Sequence, residues 1–226
     1  MQDRSQARFP GYRTIAALLV GAAATAAQTA NPAPRSTKKL PVAEATPAVS
    51  QGLYRNPSFG FVYKIPFGWV DRTAEMRAGD ASPDSTDPAK AEVLLGVFER
   101  PPETTGDTVN SAVVIAAESV SSYPGLKTAA DYFGPLDEVI TAKGFKVVNE
   151  PYLFPVGGKQ LARSDFSQQR EKLTLEQATL VMVDKGYVVS FTFIGGSQDD
   201  VDTLLEGLRF SAAHRSAGGP APPPKK

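Results

Sequence analysis

The first residue to test for chemistry is the single histidine, His214, because an imidazole near neutral pH serves as general base, nucleophile partner or metal ligand. It stands past the last helical pattern, beside a Pro-rich end that cannot hold a Ser-His-Asp geometry. The chain contains no cysteine, so thiol nucleophiles, disulfides and cysteine-ligated zinc are excluded. Metals and cofactors are accordingly not expected.

Carboxylates are the remaining source of acid–base or oxygen-ligand chemistry. Asp199, Asp200 and Asp202 sit at the start of a helical pattern, where the dipole favours negative charge, and lack the glycine and distal glutamate of a calcium loop. Asp80, Asp84 and Asp87 are irregularly spaced in a polar stretch. Asp131, Asp137, Glu138 and Asp165 could converge in space as the pair that glycoside chemistry needs, although Asp131 and Asp137 also read as helix surface. The pairs Gly157-Gly158 and Gly195-Gly196 lack the Lys and Ser/Thr of a phosphate loop and read as turns. Arg163 and Asp165 share one face of a strand at i and i+2, where they form an ion pair or line a groove. With Trp69, which closes the aromatic stretch GFVYKIPFGW, they are the candidate binding residues. The aromatic stretch itself reads as core, with Phe59, Phe61, Tyr63 and Ile65 on one side of a period-two pattern.

The elements that position these residues follow from periodicity. Glu92–Glu99 and Ala112–Val120 are aliphatic runs of strand length, suited to strands covered on both faces. Phe145–Asn149, Gln160–Gln168, Leu173–Val183 and Tyr187–Ile194 read as further strands, the last two forming a hairpin through Asp184, Lys185 and Gly186. A helix is expected from Thr128, its cap, with an apolar face of Ala129, Tyr132, Phe133, Leu136, Val139 and Ile140 and a kink or restart near Pro135. Ser197 caps a last helix whose Val201, Leu204, Leu205 and Leu208 recur at helical spacing. Arg77–Ala89 is expected to be a loop. The class is α+β: a mostly antiparallel β-sheet with helices packed on it.

In that order, YRNPSFGFVYKIPFGW, the glycine turn into Gly158–Phe166, GYVVSFTFIGG and LLEGLRF make the chain resemble the PsbP-like superfamily over about residues 52–212. The resemblance implies a layered sandwich, and binding or assembly rather than catalysis. The metal binding known in some of its members does not carry over, because the histidine positions are missing.

The ends differ from the middle. Arg4, Arg8 and Arg13 precede an apolar run, Thr14–Ala27, which reads as an export signal over residues 1–27 or as a retained transmembrane anchor. Residues 28–51 are an Ala/Pro/Thr-rich linker, 52–212 the domain, and 213–226 a disordered Pro-rich tail. Removal of the signal takes three arginines and one aspartate, leaving 21 basic against 23 acidic side chains. Such a balance does not suit a nucleic-acid binder. The sequence therefore points to a periplasmic or secreted, non-enzymatic module binding a protein or envelope component. The alternative is a carrier of a small ligand or lipid in an apolar pocket between sheet and helix.

Overall fold

The computed structural model describes residues 48–80, 91–101 and 107–210. Among these, eleven strands and three α-helices form two sheets and a helical layer. Strands β1 (Ala48–Ser50), β2 (Leu53–Asn56), β3 (Phe61–Lys64) and β11 (Leu208–Phe210) make a four-stranded sheet in the order β1-β2-β3-β11. Strands β4 (Val70–Asp71), β5 (Glu92–Phe98), β6 (Ala112–Ser119), β7 (Lys146–Val156), β8 (Lys159–Arg170), β9 (Leu173–Asp184) and β10 (Tyr187–Gly195) make the larger sheet, ordered β4-β5-β6-β10-β9-β8-β7. Every pairing is antiparallel. The helices are α1 (Thr73–Asp80), α2 (Phe133–Ala142) and α3 (Gln198–Leu205). The α+β class read from the sequence is the one observed.

The two sheets face each other across an aromatic core. Phe61 and Tyr63 of the small sheet are buried, and the Phe61 ring lies 5.0 Å from Phe191 and 6.3 Å from Phe210, edge to face. Such pairs add about 0.5–1.5 kcal/mol each to the area they bury. The period-two pattern of GFVYKIPFGW is thus a core strand, as expected. Phe59 is buried too, but from the turn before β3. Strands β5, β6 and β10 are covered on both faces, which is why their sequences run nearly continuously apolar.

The far face of the larger sheet carries α2 and the 3-10 turn before it, Ala129–Tyr132, over a second cluster of Tyr132, Phe133, Leu136, Ile140, Phe166 and Val181. Pro135 falls in the first turn of α2, where no intrahelical N–H bond is lost; the restart precedes it, at Phe133. Asp131 accepts from the Thr128 amide at 2.7 Å and the Lys127 amide at 2.9 Å, so the expected cap at Thr128 is present. At α3, Ser197 Oγ accepts from the Asp200 amide at 3.2 Å, as its spacing predicts.

Four boundaries differ from the sequence reading: the last helix stops at Leu205, and Leu208, read on its apolar face, opens β11 by pairing with Tyr63. Arg77–Asp80 belongs to α1 rather than a loop: Arg77 Nε donates to the Val93 carbonyl at 2.6 Å, tying the helix to β5. The strand β1 lies within the stretch read as linker, because its three residues pair with β2 despite a composition that favours no strand. The expected strand Phe145–Asn149 runs on to Val156 through Pro151 and Pro155. Strand β7 tolerates both prolines because it is the outer edge and bulged twice against β8. In the Gly157-Gly158 hairpin the closing pair is Val156 with Lys159, so the nitrogen of Pro155 faces outward and removes a donor from the free edge. The β9–β10 hairpin turns through Lys185 (φ 51) and Gly186 (φ 80), the two left-handed residues that match the twist of the strands.

Candidate functional site

The candidate residues Arg163 and Asp165 do come together, but beneath the surface. They project from β8 toward the space between the sheets, with Arg163 4% and Asp165 2% exposed. Arg163 Nε donates to Asp165 Oδ1 at 2.8 Å, and Nη2 donates to Asp202 Oδ1 of α3 at 2.9 Å. The guanidinium also stacks 4.7 Å over the ring of Phe154. The second Asp165 oxygen accepts from Asn149 Nδ2 at 3.0 Å and the Tyr152 hydroxyl at 3.2 Å. Burial works against the Arg163 charge, yet the hydrogen bond and charge of Asp165 and the hydrogen bond of Asp202 outweigh it and raise its pKa further. This network fastens α3 to β8.

Trp69 is not part of that network. It is partly buried against the core between the sheets, after a turn in which its amide donates to the Pro66 carbonyl at 3.4 Å. Gly68 (φ 83) supplies the left-handed residue of that turn, and Phe67 beside it is fully exposed.

The carboxylates do not converge. Asp165 faces the small sheet, whereas Asp131, Asp137 and Glu138 belong to the helical layer on the opposite side. Asp137 is pushed up to about 6, first by burial and then by the charge of Glu150. Asp199 and Asp200 lie in the first turn of α3 as expected for the dipole. Among the described residues, no group of three or more His, Asp or Glu side chains is placed to hold a metal. Asp84, Asp87 and His214 lie outside the described residues.

Two features escaped the sequence reading. Glu118 ends the aliphatic run of β6 and is 3% exposed; Tyr132 donates to its Oε1 at 2.7 Å and Tyr123 to its Oε2. Burial raises the Glu118 pKa, while both hydroxyls lower it. Its only signal in the sequence is an acid inside an apolar strand followed by tyrosines.

The other is the outer face of the small sheet. The registers Arg55↔Val62 and Val62↔Arg209 place two arginines either side of Val62, and Lys64↔Leu53 lies next along the same face. Arg55, Lys64 and Arg209 are exposed, Val62 and Leu53 half-buried. None of the three cations forms an ion pair or side-chain hydrogen bond among the described residues, and the register puts no acidic residue on this face. Alternation within each strand was legible, but the row exists only because β11 returns to pair with β3.

No family model and no curated protein matches the chain. Solved structures similar to it include the cyanobacterial PsbP of Synechocystis sp. PCC 6803, at 12% identity over 74% of this chain and 98% of that one, with a TM-score of 0.43. A protein of unknown function from Pseudomonas aeruginosa is 18% identical over 54% of this chain and 78% of its own, with a TM-score of 0.35. LpqN of Mycobacterium tuberculosis, involved in cell envelope biogenesis, is 11% identical over 57% and 88%, with a TM-score of 0.33. All three likenesses are distant.

Proposed function

We propose that the chain is a non-enzymatic, exported module that binds a protein or envelope component, and that the outer face of the small sheet is its contact surface. The observation that carries this reading is the contrast between its two sets of charges. Arg163, Asp165 and Glu118 are buried and engaged in hydrogen bonds, whereas Arg55, Lys64 and Arg209 stand together, exposed and unpaired among the described residues. Like charges grouped on one face repel each other, and an anionic partner relieves that repulsion. The alternative carrier needs an apolar pocket between sheet and helix. That layer is occupied by Tyr132, Phe133, Leu136, Ile140 and Phe166, all buried, which favours the module. The extent proposed for the module is a single domain over about residues 52–212, extended at its start by β1. Export rests on the N-terminal residues, which lie outside the described ones.

A photocrosslinking amino acid at Val62, between the two arginines, tests the reading in the native host, with Leu153 on β7 as the comparison site. The expected result is an adduct at Val62 that disappears with Arg55→Glu. Equal adducts from both positions, or none at Val62, would overturn it. N-terminal sequencing of the protein recovered outside the cytoplasm, expected to begin near Gln28, checks export.

A further inference from the structure

The contact surface proposed above has the chemistry of a membrane-facing patch, and we propose that it docks on an anionic phospholipid surface. This inference rests on that reading of the outer face and names its partner. The registers already described set three cations around two half-buried aliphatic side chains, Val62 and Leu53. Adjacent strands lie about 4.8 Å apart, so Arg55 and Arg209, two strands apart, stand about 10 Å from each other at the backbone. Lys64 lies about 7 Å along the strand from Val62. The result is an open sheet face with interspersed apolar groups. Flexible stems let each ammonium or guanidinium reach a separate phosphate while the methylenes lie on the surface.

Phe67 adds the second element. Three residues past Lys64, at the end of the same strand, it is fully exposed in the Pro-Phe-Gly-Trp turn. An aromatic side chain standing in water three residues along the chain from an exposed lysine matches the boundary between headgroups and acyl chains, where aromatic residues are enriched. An acidic protein segment would satisfy the cations but gives no role to Phe67.

The test is sedimentation of the chain from Gln28 onward with vesicles of phosphatidylcholine alone and of phosphatidylcholine containing one third phosphatidylglycerol, at about 0.1 M salt. The readout is the ratio of the two partition coefficients. Changing Arg55, Lys64 and Arg209 together to glutamine is expected to lower that ratio on the order of a hundredfold, from three cations near an anionic surface. A charge-matched control, Lys127→Gln with Lys146→Gln and Lys172→Gln on other surfaces, should lower it by less than about threefold. Phe67→Ser should weaken binding to the anionic vesicles about tenfold. Equal losses from the two triple variants, or no loss from the first, would overturn the proposal. In that event a surviving Arg55-dependent adduct at Val62 would leave the module reading in place with a protein partner.

Discussion

Asp165 and Asp202 accept from the same guanidinium at nearly the same distance, 2.8 and 2.9 Å, but Asp165 is buried and the Asp202 side chain is 53% exposed. Burial rather than distance should therefore decide what each is worth. Truncating Asp165 to alanine strands the Arg163 charge inside the protein and removes the acceptor of Asn149 and Tyr152, and should destabilise by about 3–5 kcal/mol. Truncating Asp202 leaves Arg163 paired to Asp165 and exposes only a solvent-screened contact, so it should cost about 1 kcal/mol or less. Replacing both buried partners with apolar residues, Arg163→Met with Asp165→Leu, should come back close to the wild type, because no charge then remains to desolvate. Urea unfolding followed by the fluorescence of Trp69 separates the three. With a slope of about 2 kcal/mol per molar, Asp165→Ala should move the midpoint down by about 2 M and Asp202→Ala by about half a molar or less. Equal shifts for the two aspartates would refute the reasoning, as would a double variant no more stable than Asp165→Ala alone.

Two acids, the buried Glu118 and the half-buried Asp137, give a pH dependence of opposite sign to the usual carboxylate case. The folded Glu118 pKa is raised above its ordinary 4.5, so the folded state holds a proton that the unfolded state has released, and stability falls as pH rises through that interval. Glu118→Gln should flatten the decline above pH 4.5, measured as unfolding free energy in a pH series. Asp137→Asn should do the same between 3.8 and about 6, the window set by its own raised value. Ser197→Ala should lower stability by about 1 kcal/mol through loss of the cap bond to the Asp200 amide, with Ser197→Asp close to neutral; the comparison is made by thermal unfolding. Gly207→Ala should destabilise by about 1–3 kcal/mol, because a Cβ there would stand 2.9 Å from the Lys64 carbonyl oxygen, a backbone atom that cannot step aside. Chemical denaturation of that variant beside Gly134→Ala, where nothing lies within 4 Å, checks it.

The sequence by itself determined what depends on neighbours along the chain. Period two made β3 and β10 strands, hydroxyl and acid three residues apart made the caps at Thr128 and Ser197, and the absence of cysteine and the single histidine removed whole classes of chemistry. The α+β class followed from the order of those elements. Where a segment had weak local preference, tertiary contacts decided instead: β1 exists through its pairing with β2, α1 through packing on β5, and β7 continues through two prolines because an edge strand has a side with no ladder to break. The site was decided the same way. Arg163 and Asp165 were legible as neighbours on one strand face, but their burial required α3 to bring Asp202 across from the far end of the chain. The cationic row required β11 to pair with β3, and the Glu118 cluster required the turn before α2 to fold back over β6. Local periodicity fixes which way a side chain points; only the closing of long loops determines what it meets there.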